Sequence, residues 1–107
     1  MPYRLTLAGP AKRAIERDRR EPAAFAVLEL MHGALLRNPR RVGHELGGAW
    51  QGYWTAHVGS YRVIYRILDD APVEQTPGMV ALREPESGTV TVVRIRRRAD
   101  AYHGGPG

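Results

Sequence analysis

Two stretches decide how this chain folds: Tyr61-Arg62-Val63-Ile64-Tyr65-Arg66-Ile67 and Val90-Thr91-Val92-Val93-Arg94-Ile95-Arg96-Arg97-Arg98. Both are rich in β-branched and aromatic residues, which favour strands, and both thread arginines through them. Side chains alternate along a strand, so Arg62 and Arg66 share one face of the first run while Tyr61, Val63, Tyr65 and Ile67 share the other. In the second run Arg94, Arg96 and Arg98 fall on one face, with Val93 and Ile95 opposite. If the runs pair, the sheet carries several guanidinium groups on or near one surface. Planar guanidinium forks suit phosphate, and a row of phosphates means nucleic acid.

Working outward, Gly59-Ser60 is a two-residue link of the kind that makes tight hairpins, which pairs the strand expected over Trp50 to Val58 with the one beginning at Tyr61. Tyr3-Arg4-Leu5-Thr6-Leu7 alternates as a strand and stops at Gly9-Pro10. Ala11 to Arg20 then reads as a short basic helix. From Pro22 to Leu36, Phe25, Leu28, Met31 and Leu35 recur at helical spacing, so a second, amphipathic helix covers one sheet face until Asn38-Pro39 ends it. Residues 69–88, with Pro72, Pro77 and Pro85, show the least pattern, although Met79 to Leu82 has strand character. The expected order is β-α-α-β-β-β, an α+β fold in which a helical hairpin packs on one face of an antiparallel sheet.

Composition narrows the class. A chain of 107 residues supports one domain, expected over residues 1–102, with 103–107 as a loose tail. Hydrophobic residues at 43% and charged residues at 25% are ordinary for a globular protein. The net charge of +5 is nearly all arginine, since Lys12 is the sole lysine. With no cysteine, disulfides and thiolate metal sites are excluded. His32 and His44 lack the spacing and company of metal ligands, so neither metal nor cofactor is expected. The sequence has no long apolar run and no signal-peptide core, which predicts a cytoplasmic protein with no membrane role.

Pro39-Arg40-Arg41-Val42-Gly43-His44-Glu45-Leu46, Gly52-Tyr53-Trp54, the tract from Gly59 to Ile67 and the closing Arg97-Arg98-Ala99-Asp100-Ala101-Tyr102 resemble, in that order, the RelE/ParE superfamily of type II toxin-antitoxin systems. The resemblance spans most of the chain and leans toward the RelE branch. It implies a ribosome-dependent endoribonuclease that cuts mRNA in the A site and inhibits translation. It further implies that Arg62 holds the scissile phosphate, that Arg98 stabilises charge in the transition state, and that Tyr102 shares in proton transfer or stacks on a base. A cognate antitoxin in a hetero-oligomer is the implied protein partner, with Leu28, Leu35 and Leu36 as its docking ground.

Cleavage of that kind needs stabilisation of a dianionic phosphorane and a proton carrier. His57 stands on the strand where RelE-branch toxins carry lysines, and it is the one strand-borne histidine whose pKa range suits the task. Arg94 and Arg96 are candidates to grip flanking phosphates, although charges on an edge strand also serve to discourage aggregation. Trp54 could stack on a base or be buried, and Arg66, Arg97 and Arg41 complete the expected nucleic-acid contacts. Two other readings stay open: a ParE-type inhibitor of DNA gyrase, and a toxin-derived RNA-binding module without catalysis.

Overall fold

The computed structural model describes residues 3–70 and 88–97. Its strands are β1 (Arg4–Leu7), β2 (His44–Glu45), β3 (Trp54–Val58), β4 (Tyr61–Asp69) and β5 (Gly88–Arg97). Its helices are α1 (Gly9–Arg17), α2 (Pro22–His32), α3 (Ala34–Arg37) and α4 (Pro39–Val42), with a 3-10 turn at Gly48–Trp50. The strands form one five-stranded sheet in the order β1-β5-β4-β3-β2. The expected strand at Met79 to Leu82, the closing turn and the tail lie outside the described residues.

The α+β class holds, but the sheet is mixed rather than wholly antiparallel. β1 runs parallel to β5, with Arg4 opposite Thr89 and Leu7 opposite Val92. Parallel pairing needs a long crossover, and everything between the two strands supplies it. Consequently β5 lies between β1 and β4, so Arg94 and Arg96 do not guard an edge.

β4 and β5 pair with one irregularity. Ile64 faces Arg94 while Tyr65 faces Val92, leaving Val93 as the extra residue of a β-bulge. Strict alternation would put Val90 and Val92 on the same face as Arg94 and Arg96. The bulge resolves that conflict: Val90, Val92 and Ile95 all turn to the helices, at 0%, 0% and 5% exposure, and Arg94 and Arg96 turn away.

Above the apolar face, α1 packs on β5 and α2 on β3 and β4. The core joins Ala11 and Ala14 of α1, Val27 and Met31 of α2, and Leu35 of α3 to Tyr61, Val63, Tyr65 and the β5 residues. The helical stripe differs by one residue from expectation. Ala24 and Val27 are buried, while Phe25 is 64% exposed. Small side chains at these positions let the helix lie close to the strands, and Phe25 is turned outward. The long helix also breaks at Gly33, so Leu35 reaches the core from α3 instead.

Fully buried Tyr65 ties α4 to the sheet, its hydroxyl donating to the Pro39 carbonyl at 2.6 Å. At one end of β4 the Tyr3 hydroxyl donates to Asp69, whose carboxylate also takes a 2.7 Å ion pair from Arg40. Beside it, Arg4 pairs with Asp70 at 2.7 Å. The Arg40 contact, with Tyr3, holds the Asp69 carboxyl below its ordinary range.

Two outcomes follow for stability. Deleting Val93 would make Val92 and Arg94 neighbours, and ordinary alternation would then keep Val90, Val92 and Ile95 toward the helices and Arg94 and Arg96 away, so the deletion removes the bulge without moving any of these side chains to the other face. The deletion should therefore retain a cooperative urea transition, as should Val93→Ala; loss of that transition on deletion alone would contradict the bulge assignment. Burial pushes the Tyr65 hydroxyl from 10.0 up to about 12. Its contribution is therefore complete below pH ~10 and is lost as pH rises from there toward 12. Urea midpoints measured against pH should fall in that window, and Tyr65→Phe should flatten the fall while costing about 1 kcal/mol at neutral pH.

Candidate nucleic-acid interface

Strand register assembles the site. On the sheet face turned away from the helices, His57 of β3 lies directly opposite Arg62 of β4, which lies directly opposite Arg96 of β5. The next row brings together Thr55, Ile64 and Arg94, with His44 of β2 beside Thr55. Beyond it Arg66 faces Thr91. Of the expected site residues, Arg62, Arg66, Arg94, Arg96 and His57 thus share one surface, as alternation along β4 and the bulge in β5 require.

This surface violates two local rules. Like charges directly across a strand pair repel, yet Arg62 and Arg96 occupy that relation. Buried polar atoms are normally hydrogen-bonded, yet the Arg62 Nε and the Thr55 Oγ1 are buried with no hydrogen-bond partner among the described residues. Both of these atoms lie on this face, on adjoining strands. No carboxylate of the described residues pairs with Arg62, Arg66 or Arg94. The His44 and His57 rings stand 6.2 Å apart, tilted by 37°. A doubly hydrogen-bonding anion would relieve the repulsion and meet the unpaired donor at once.

Other expected contacts are not brought here. Trp54 lies opposite Tyr65 on the helix side and packs against the core, because it is an odd number of residues from His57. Arg97 also turns to the helix side, one step past Arg96. There its Nη2 pairs with Glu21 at 3.0 Å, and its Nε donates to the Tyr61 oxygen at 3.3 Å. Its Nε also stands 3.6 Å from Asp18. The Tyr61 hydroxyl donates to the same buried Asp18 at 2.9 Å. Asp18 is held below its ordinary carboxylate range, chiefly by Arg17 and also by Tyr61 and Arg97. Arg41 is exposed on α4, on the approach to β2. Arg98 and Tyr102 lie outside the described residues.

Sequence reasoning missed Thr55, Tyr53 and Trp50 on this side, and His44 as a companion of His57. Only parity along β3 could have found Thr55. Tyr53, just before β3, lies under the Arg66 guanidinium, whose carbon is 5.5 Å from the ring centroid. Trp50 meets Tyr53 edge-on at 5.1 Å.

Comparison with known proteins supplies the family. The profile described as ParE toxin of type II toxin-antitoxin system, parDE, matches residues 10–76. Toxin RelG of Mycobacterium tuberculosis is 33% identical over 102 residues, covering 95% of this chain and 98% of its own. Toxin RelE of the same organism is 31% identical, over 98% of this chain and 91% of its own. Among solved structures, the toxin-antitoxin complex RelBE2 of M. tuberculosis contains a chain similar at TM-score 0.66 and 30% identity, covering 92% of this chain and 100% of that one. The E. coli DinJ-YafQ toxin-antitoxin complex contains another at TM-score 0.63, whose 17% identity, over 95% and 99% of the two chains, marks a shared fold. With a profile matched across more than half its length and relatives this similar from end to end, the chain belongs to the RelE/ParE superfamily as a toxin of a type II toxin-antitoxin system.

Proposed function

We propose that this toxin is an endoribonuclease that cuts mRNA in the ribosomal A site, and that the arginine face of the sheet receives the RNA. The observation that carries the reading is the Arg62 to Arg96 cross-strand pair with the unpaired Arg62 Nε. Two cations held face to face, one with a buried orphan donor, are stabilised together by a phosphate between them.

In this reading Arg62 and Arg96 hold the non-bridging oxygens of the scissile phosphate. The 2′-oxygen attacks phosphorus, its proton leaves to a base, and the bond to the 5′-oxygen breaks as that oxygen gains a proton. The products are a 2′,3′-cyclic phosphate and a 5′-hydroxyl. His57, directly opposite Arg62, is placed to carry one of those protons, with His44 as its neighbour. The family resemblance assigns further charge stabilisation to Arg98 and a proton-transfer or stacking role to Tyr102.

An antitoxin partner completes the reading, supported by relatives solved as toxin-antitoxin complexes. Its docking ground differs from the sequence expectation, because Leu35 is fully buried in the core. Exposed Phe25, with half-buried Leu28 and Leu36, offers the apolar side of the helical layer instead. The ParE profile match favours a second reading, inhibition of DNA gyrase with the same face serving only to bind.

A reconstituted translation system, run beside a gyrase supercoiling assay, separates the two. Wild-type toxin should block translation and leave supercoiling intact. Arg62→Ala should weaken the block by about 10²–10³-fold, the usual loss for one transition-state donor. His57→Gln should weaken it by at least about 10²-fold if the imidazole carries a proton. Full translational inhibition by Arg62→Ala would overturn the assignment, as would supercoiling loss with translation unaffected.

A further inference from the structure

Beyond the phosphate-binding arginines, the same sheet face carries a second feature that no catalytic step employs. Trp50, Tyr53 and Arg66 form a cluster in which the aromatic rings meet edge to face and the guanidinium lies over the tyrosine. Arg66 is exposed, and Trp50 and Tyr53 are half-buried. The turn that presents the rings bends at Gly48 and Gly52, with φ of 60° and 91°, values that favour glycine. It is held by Trp50 N–H to Gly47 C=O and Tyr53 N–H to Trp50 C=O bonds at 3.1 and 3.0 Å. A side chain at Gly47, Gly48 or Gly52 would meet nothing within 4 Å, so the turn is bordered by open space rather than packed against the body of the protein.

A cation stacked on an aromatic ring is a structural lock when it is enclosed. Here it is exposed and continuous with the arginine row. Arg66 and Arg62 lie on one face of β4, four residues apart, which at strand rise is about 13 Å. That distance is the reach of a short single-stranded segment, and unstacked bases of such segments are held on aromatic rings and guanidinium planes.

We propose that Trp50, Tyr53 and Arg66 form a nucleobase-stacking subsite for single-stranded RNA, taking a base a short distance along the strand from the phosphate held at Arg62 and Arg96. The subsite rests on the reading of this face as an RNA interface and adds to it a position at which the base, rather than the phosphate, is held. Stacking tolerates every base, so the subsite contributes affinity and register more than sequence choice.

The test is equilibrium binding of fluorescein-labelled 2′-O-methyl RNA octamers, which cannot be cut by 2′-oxygen attack, read by anisotropy. The octamers are used intact and with one abasic position each. For wild-type toxin, one abasic position should weaken binding about tenfold. Tyr53→Ala and Arg66→Gln should each weaken the intact octamer several-fold to tenfold, and in Tyr53→Ala that abasic position should cost nothing further, as expected of coupled partners. Tyr53→Phe should bind as wild type does. Folding of each variant is checked by its urea transition, and exposed Arg66 gives a variant that spares the core. Unchanged affinity in Arg66→Gln and folded Tyr53→Ala would overturn the subsite, as would abasic losses that persist undiminished in Tyr53→Ala. Weakening by Tyr53→Ala with none by Arg62→Ala would uphold the subsite and defeat the phosphate assignment. Absence of binding by wild type would overturn both.

Discussion

One extra residue in β5 governs the arrangement of the whole molecule. Val93 bulges out of the pairing with β4, and by doing so lets Val90, Val92 and Ile95 face the helices together. Each such burial contributes about 1.5 to 3 kcal/mol, which outweighs the loss of regular pairing at one point. The same half-turn puts Arg94 and Arg96 on the face that already carries Arg62 and Arg66. Core formation and site formation are therefore a single event in this strand.

The two sides of the sheet treat positive charge in opposite ways. On the helix side Arg97 is matched by Asp18 and Glu21, with Tyr61 bonding into the group, so its charge is met within the protein. On the far side Arg62 stands across from Arg96 and keeps an unsatisfied buried donor. Proteins tolerate such local conflict where a ligand resolves it, which is why the conflict points to a site rather than to poor packing. Arg62 and Arg97, on opposite faces of the sheet, thus serve different ends.

Much of this was legible before the structure. Alternation placed Arg62 and Arg66 opposite Tyr61, Val63 and Tyr65, and Gly59-Ser60 marked the hairpin between β3 and β4, as observed. The tracts Pro39 to Leu46, Gly52 to Trp54 and Gly59 to Ile67, together with the closing motif, resembled the toxin superfamily to which the chain belongs. What could not be read were choices made by packing. Phe25 and Ala24 both satisfy a helical period, and only contact with the sheet selects the smaller residue for the inside. Size and shape left Trp54 open to base stacking or burial, and its parity on β3 sends it inward, while Tyr53 one residue earlier meets Arg66. The parallel pairing of β1 with β5 joins the two ends of the described chain, a separation at which local pattern carries no information. Thr55 looked like an ordinary strand residue, and its orphaned hydroxyl emerges only from burial.

The most direct measurement is a transcriptome-wide map of new 5′-hydroxyl RNA ends in translating cells after brief induction of the toxin, compared with an Arg62→Ala/Arg96→Ala double variant. If the arginine face is the catalytic face, wild type alone should produce ends that fall in phase with codons occupying the ribosomal A site. Growth arrest with intact transcripts, or the same ends from the double variant, would contradict it.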